Sequence, residues 1–184
     1  GSVAVLDTGG VRLVAERLNR TVLQRGAVVP GRVVLGVPLE LAGHAALCGL
    51  RSHRDSLHQF SGDGGFDFLS PAEHLLVNIE IHPDRLQRVE LRDVVTRLAS
   101  CLGPNPTVHD LPAATMAAWR HRLTGLLGSL QRQPHLLDPP DVRDALERTL
   151  VHGLAESVCE CHLGPDAAMS RGVRAWRLVR AVQD

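Results

Sequence analysis

Residues 74–91 read HLLVNIEIHPDRLQRVEL, and the repeat of apolar residues changes within this stretch. From Leu75 to Ile81 every second residue is apolar, which is typical of a β-strand with one buried face. After Pro83 the repeat lengthens to about 3.6 residues, the period of an amphipathic helix. We therefore expect strands before residue 83 and helices after it.

Upstream of this change, short apolar stretches alternate with residues that favour turns. Pro30-Gly31 suits a tight turn because proline fixes φ and glycine accepts positive φ. Residues 62–65 read GDGG, a strong hairpin signal. Several short strands without an intervening helix predict an antiparallel sandwich or barrel. The predicted strands cover residues 11–18, 22–29, 33–39, 43–48, 56–60 and 74–81.

Downstream, the helical repeat is interrupted by proline and glycine. Asp84 is predicted to cap a first helix that the sequence GPNP at 103–106 ends. Asp138 is predicted to cap the third helix, with two prolines in its first turn. The second helix is predicted over 113–131, and a last one over about 167–182. The fold class is therefore α+β, and three domains are predicted: a β domain at 3–83, a helical region at 84–163 and the start of another domain at 164–184.

Composition limits the classes of protein that the chain can belong to. The 184 residues have a formal net charge of zero, and all 20 basic residues are arginine, so the overall charge gives no case for nucleic-acid binding. No apolar run approaches the roughly 20 residues that span a bilayer, and no secretion signal is present. A cytoplasmic protein without membrane contact is expected, and its four cysteines are predicted to be reduced thiols.

Several short motifs of the first half resemble one family of regulators. Residues 24–39 read QRGAVVPGRVVLGVPL, and they are followed by DSL at 55–57, GDGGFD at 62–67 and SP at 70–71. This order of motifs resembles the N-terminal domain of AraC/XylS-type transcription regulators. Residues 170–183 resemble the first helix of that family's double helix-turn-helix domain.

The resemblance implies a fold and a function. It implies a cupin-like β half-barrel that senses a small-molecule effector, and helices that form a homodimer. It also implies that DNA is bound only by a C-terminal domain that is truncated here, in a bacterial regulator that is not an enzyme. The chain departs from the family at residues 46–49, ALCG, which lack the aromatic residue often found at that turn. The alternatives are a cupin-like small-molecule-binding protein or enzyme, and a dimerisation module without ligand.

Metal and catalytic chemistry have little support in the sequence. A cupin metal site usually needs two histidines one residue apart, and no such pair exists. Cys159 and Cys161 are two residues apart at a helix end, so their side chains are predicted to point in different directions. No nucleophile elbow, phosphate loop or paired-carboxylate motif is present. We therefore predict no catalytic residue, no metal and no cofactor.

A candidate effector site combines arginines of the first strands with apolar residues of the β domain. Arginine presents a planar fork that suits a carboxylate or phosphate, so the effector is expected to be anionic. The alternative is a solvated rim in which the arginines pair with acidic neighbours such as Glu40, above apolar residues that are plain core. The predicted ligand-binding residues are Arg17, Arg20, Arg32, Leu35, Val37, Phe66 and Phe68.

The second predicted helix carries an apolar stripe with heptad-like spacing, which indicates two helices packed side by side. The stripe is predicted to form the dimer interface, although it can equally pack on the third helix within one subunit, with residues 142–158 as another candidate face. The predicted interface residues are Met116, Trp119, Leu123, Leu126 and Leu130.

Overall fold

A computed structural model describes residues 1–162, in which the chain forms ten strands, three α-helices and one short 3-10 helix. The strands are β1 Ser2–Asp7, β2 Val11–Leu18, β3 Val22–Gly26, β4 Val33–Leu41, β5 Ala45–Leu47, β6 Leu50–Ser52, β7 Ser56–Gln59, β8 Phe66–Ser70, β9 His74–Ile81 and β10 Thr107–Asp110. The helices are the 3-10 turn Pro83–Arg85, α1 Val89–Leu102, α2 Ala113–Arg132 and α3 Pro140–His162. The predicted last helix and the domain start at 164–184 lie outside the described residues.

The strands form two antiparallel sheets, which confirms the α+β fold class. The larger sheet has the order β1-β2-β9-β4-β7-β10, and the smaller has the order β3-β8-β5-β6. Two edge strands of the larger sheet were not predicted. One is β1, which precedes the first predicted strand, and the other is β10, which follows α1 and pairs with β7 through Val108 opposite His58.

The central strands β4 and β7 of the larger sheet are buried on both faces, and the neighbouring β9 shows how the strand period divides its residues. Val77, Ile79 and Ile81 have no exposed surface and pack in one core with residues of all three helices. Leu76 belongs to a second core, which the larger sheet shares with the smaller one through Leu47 and other side chains. Because successive side chains of a strand point to opposite faces, one strand serves both cores.

The helices follow the predicted order, but two of them begin later than expected. Asp84 lies in the 3-10 turn, and α1 begins at Val89 after Arg88, which makes no side-chain cap. Between them, extended backbone at Leu86 inserts that side chain into the core, where it is 1% exposed. Similarly, α3 begins at Pro140 rather than directly after Asp138. Burial of an apolar side chain therefore outweighs the predicted cap at α1.

One apolar core extends across the predicted boundary at residue 83. It joins residues of β2, β4, β7 and β9 to residues of α1, α2 and α3. The indole Nε1 of Trp119 on α2 donates a 3.0 Å hydrogen bond to Ser157 Oγ on α3. The division into domains at residue 83 stays a prediction, and the packing makes the sheet and the helices depend on each other.

A buried carboxylate fastens α3 to the turn between β1 and β2. Glu147 is 2% exposed, and its Oε1 accepts a 2.8 Å hydrogen bond from the amide of Gly10 and a 2.7 Å bond from the Thr8 hydroxyl. Gly10 has no room for a side chain, because a Cβ there would lie 2.6 Å from Leu86 and 2.9 Å from the same carboxylate oxygen. Glycine at this position therefore permits the contact.

Replacing Glu147 with alanine is expected to lower the free energy of unfolding by about 2 kcal/mol, because the Gly10 amide would be left buried without an acceptor. Urea unfolding followed by circular dichroism measures this change. Glu156→Ala on the exposed side of the same helix is the matched control and should change stability far less. Equal effects of the two substitutions would contradict the role given to Glu147.

The prediction of reduced thiols is wrong for two cysteines. Cys101 at the end of α1 and Cys159 near the end of α3 form a disulfide that spans 58 residues of sequence. Cys48, at the turn between β5 and β6, is free and exposed. The pairing could not be predicted because α1 and α3 meet only through the tertiary packing of the two helices. The bond also occupies the thiol of Cys159, one of the two closely spaced cysteines that suggest a metal site in the sequence.

Candidate ligand-binding cleft

The space between the two sheets is filled by aromatic and aliphatic side chains. Phe68 lies at its centre with no exposed surface and makes edge-to-face contacts with Phe60 and His58, at ring-centroid distances of 5.3 Å and 5.2 Å. Gly36 on β4 allows this packing, because a Cβ there would lie 2.8 Å from Phe60 and 2.9 Å from Asn78 Oδ1. This packing leaves little room for a ligand around Phe68.

His58 is the polar group at the centre of this layer. Its Nε2 lies 2.7 Å from Ser52 Oγ, whereas Nδ1 is buried without a hydrogen-bond partner of acceptable geometry in the described part of the chain. Burial lowers the pKa of His58 from 6.5 to about 4; the Gly36 backbone opposes the shift and His74 adds to it. His58 is therefore neutral near pH 7.

A cleft opens at one end of the sheets, where three segments meet. They are the loop before β4, the end of β7 with the following hairpin, and the last turn of α1. The cleft has a volume of about 490 Å³, which is in the range of small-molecule sites. Its lining consists of residues 27–33, Gln59, residues 61–64, Ala99, Leu102 and Gly103.

Gln59 lines the cleft and its side chain connects two of the surrounding segments. Its side-chain nitrogen lies 2.9 Å from the carbonyl oxygen of Ser61, 3.2 Å from that of Gly103 and 2.9 Å from that of Asn105. Its Oε1 lies 2.7 Å from His109 Nε2 on β10. These bonds tie the hairpin after β7 to the loop after α1, so the β and helical walls of the cleft are connected.

The charges on the cleft are few and lie on different walls. Arg32 is half-buried, Asp63 is exposed, and within residues 1–162 neither side chain has a hydrogen-bond or ion-pair partner. The last turn of α1, which forms the third wall, has no basic residue. The negative end of that helix dipole is therefore not neutralised by a side chain of its own helix.

The three predicted arginines are not brought together. Arg17 lies near Glu40 and makes a two-pronged ion pair with it, with nitrogen–oxygen distances of 2.7 Å and 2.8 Å. This bonding lowers the pKa of Glu40 and raises that of Arg17. Arg17 and Glu40 are both paired with Leu75, from the strands on its two sides. This is the opposite end of the larger sheet from Val33, the residue that follows Arg32. Arg20 is exposed, and Arg32 alone lines the cleft.

The predicted apolar residues also separate. Leu35 and Val37 are fully buried in the core between the larger sheet and the helices, and Phe68 lies in the core between the sheets. Phe66 is half-buried and lines a second, shallower hollow beside Arg25 and Cys48. These four residues therefore do not share one cavity, and their ligand role stays a prediction.

The predicted dimer stripe divides along α2. Met116, Trp119 and Leu123 are buried in the chain's own core, which is the within-subunit packing that the sequence left open. Leu126 and Leu130, nearer the end of the helix, are half-buried. Only this second part of the stripe retains surface that a second copy can contact.

Other residues of the cleft carry no functional signal in the sequence. Ser61, Asp63 and Ala99 come from a turn and from a helix whose period predicts only packing. The hairpin signal at 62–65 located the turn but gave no indication of what faces it. A Cβ added at Gly62 would lie 2.6 Å from the carbonyl oxygen of Pro104. No local sequence pattern predicts this close approach.

Comparisons with known proteins found no match to this chain, either among protein-family models or among curated proteins. Within residues 1–162, no three histidine, cysteine, aspartate or glutamate side chains are grouped so that they could hold a metal ion. In the same part of the chain, no helix has both the length and the apolar character needed to cross a bilayer. The interpretation of the cleft therefore rests on its own geometry.

Proposed function

We propose that the chain is the effector-sensing and dimerising region of a bacterial AraC-type transcription regulator, with a cupin-like β half-barrel and a cytoplasmic location. The motifs at residues 24–39, 55–57, 62–67 and 70–71 support the family. The observation that carries the sensing role is the position of the cleft. Its walls belong to both the β layer and the last turn of α1, so one ligand would contact both parts of the fold.

The helices offer a route from the cleft to the end of α3. Leu102 lines the cleft, and the preceding residue, Cys101, is covalently bonded to Cys159 on α3. A ligand that binds one arrangement of α1 better than another shifts the population toward that arrangement. Because α3 packs against α1 and is also bonded to it, a shift of α1 moves α3 whether the two cysteines are oxidised or reduced. In the proposed regulator this changes the spacing of two DNA-reading domains, and no catalytic step is involved.

The reading frame after Asp184 tests the family assignment directly. We expect it to encode two helix-turn-helix units, which bind DNA in the complete regulator. A mobility-shift assay with the complete regulator and its own promoter should show sequence-specific binding by a dimer. A continuation without helix-turn-helix units, or a complete protein that does not bind this DNA, would overturn the proposal.

The dimer is proposed to form through the second part of the α2 stripe. Replacing Leu126 and Leu130 together with glutamate is expected to weaken dimerisation by roughly 30-fold or more, since buried charge at an interface costs at least about 2 kcal/mol. Light scattering over a dilution series measures the effect, and circular dichroism checks that the fold is kept. Thr124→Glu and Arg132→Glu on the same helix are the controls. A dimer that the paired substitution leaves unchanged would contradict this interface, as would a monomeric wild type.

A further inference from the structure

The cleft has a positive and a negative side. Its positive charge is Arg32, which lines the cleft, is half-buried and directly precedes β4. Its negative charge is Asp63, whose backbone amide bonds to the carbonyl of Pro104 directly after α1. Asp63 is thus placed beside the negative end of the α1 dipole. Arg32 and Asp63 do not form an ion pair with each other.

A purely anionic ligand does not match this arrangement. Its charge would be attracted by Arg32 but repelled by Asp63 and by the unneutralised carboxyl end of α1. A purely cationic ligand meets the reverse problem. A ligand with one charge of each sign can satisfy both sides, since a carboxylate suits the arginine fork and an ammonium suits a carboxylate and helix carbonyl groups.

Most of the other large side chains in the lining are apolar. Val28, Val33, Ala99 and Leu102 border the cleft and can cover an aliphatic or aromatic group. With about 490 Å³, the space exceeds what a single apolar amino acid needs, so the ligand can retain some water or carry a longer side chain. The Ser61 hydroxyl is a further polar group on the β side of the cleft.

We propose that the cleft binds a zwitterionic amino acid with an apolar side chain, with its carboxylate at Arg32 and its ammonium group between Asp63 and the last turn of α1. This names the effector class and so rests on the proposed sensing function. It also replaces the anionic effector expected from the arginines with a ligand that carries one charge of each sign. The ammonium group contacts α1 next to Cys101, where a ligand can act on the bonded helix pair.

Calorimetric titration of the whole chain with matched ligands tests the proposal. L-Phenylalanine is compared with 3-phenylpropanoate, which lacks the ammonium group, and with 2-phenylethylamine, which lacks the carboxylate. L-Leucine is compared in the same way with 4-methylpentanoate and 3-methylbutylamine. We expect each amino acid to bind about tenfold or more tightly than the analogue without the carboxylate, and several-fold more tightly than the one without the ammonium group.

Two substitutions assign the charges to the two sides. Arg32→Gln should weaken amino-acid binding about tenfold and remove the preference over the amine. Asp63→Asn should remove the preference over the carboxylate with a smaller loss, roughly threefold, because an exposed charge is screened by water. Arg20→Gln and Asp141→Asn, which change the same charges at exposed positions outside the cleft, should bind like the wild type.

Several results would overturn the inference. They are failure of both amino acids to bind, binding of 3-phenylpropanoate as tight as that of phenylalanine, and insensitivity of binding to Arg32→Gln. Each of these leaves the sensor proposal standing if helix-turn-helix units follow Asp184. Conversely, amino-acid binding in a chain with no such units would support the cleft and refute the regulator.

Discussion

Loss of the Cys101–Cys159 disulfide is expected to lower the free energy of unfolding by about 4 kcal/mol. The bond closes a loop of 58 residues, and opening it returns the corresponding conformational freedom to the unfolded chain. Urea unfolding with and without dithiothreitol measures the difference. The double variant Cys101→Ser, Cys159→Ser should reproduce the reduced midpoint and lose its response to the reductant.

Two measurements separate this effect from a general effect of thiols. Cys48→Ser removes the exposed free cysteine and should leave both midpoints in place. Peptide mapping under non-reducing conditions should recover the Cys101 and Cys159 peptides as one cross-linked species. If the reductant does not change the midpoint of the wild type, the disulfide does not stabilise the fold and the proposed link between α1 and α3 is not covalent in solution.

Acidification from pH 7 to pH 4 is expected to destabilise the protein by about 3 kcal/mol through His58 alone. The pKa of this histidine is about 4 in the fold and 6.5 when unperturbed, so below pH 6.5 the unfolded chain takes up the proton first. Above about pH 6.5, His58 therefore does not lower the free energy of unfolding. The free energy of unfolding falls as the pH drops from 6.5 towards 4. Below pH 4 both states carry the proton, and this group adds no further loss.

Denaturant unfolding at several pH values shows the contribution as a slope of stability against pH. His58→Gln should reduce that slope, whereas the exposed His44→Gln should keep the slope of the wild type. Some slope should remain, because burial also lowers the pKa of His82, with Arg32 and Arg85 adding to the shift. An unchanged slope in His58→Gln would show that the buried imidazole is not the group that titrates.

The fold class was predictable because a period is a local property of the sequence. The change at residues 74–91 separates strands from helices, and Val77, Ile79 and Ile81 are buried as their spacing indicates. What the period does not reveal is the neighbour on each face. Leu35 and Val37 are predicted ligand contacts, and they pack against the helices, which cover that face of the larger sheet.

The cleft was harder to predict because its residues are far apart in sequence and come from turns. The clustering of arginines near the N-terminus suggests an anion-binding site. The strand pairing, however, places Arg17 at one end of the larger sheet and Arg32 next to the other end. Asp63 had no signal beyond a hairpin motif. Similarly, the partner of Cys101 depends on how α1 and α3 pack, which pattern and propensity do not contain.

The path of the chain through β10 has a consequence for the design of chimaeric proteins that contain this fold. The backbone leaves the larger sheet after β9, forms α1, and then returns to supply the strand that completes the same sheet beside β7. A graft that ends after β9 would leave the edge of β7 without its partner strand β10. It would also expose the apolar residues of the larger sheet that pack against the helices. A transplanted unit must therefore extend past β9 to include α1 and β10.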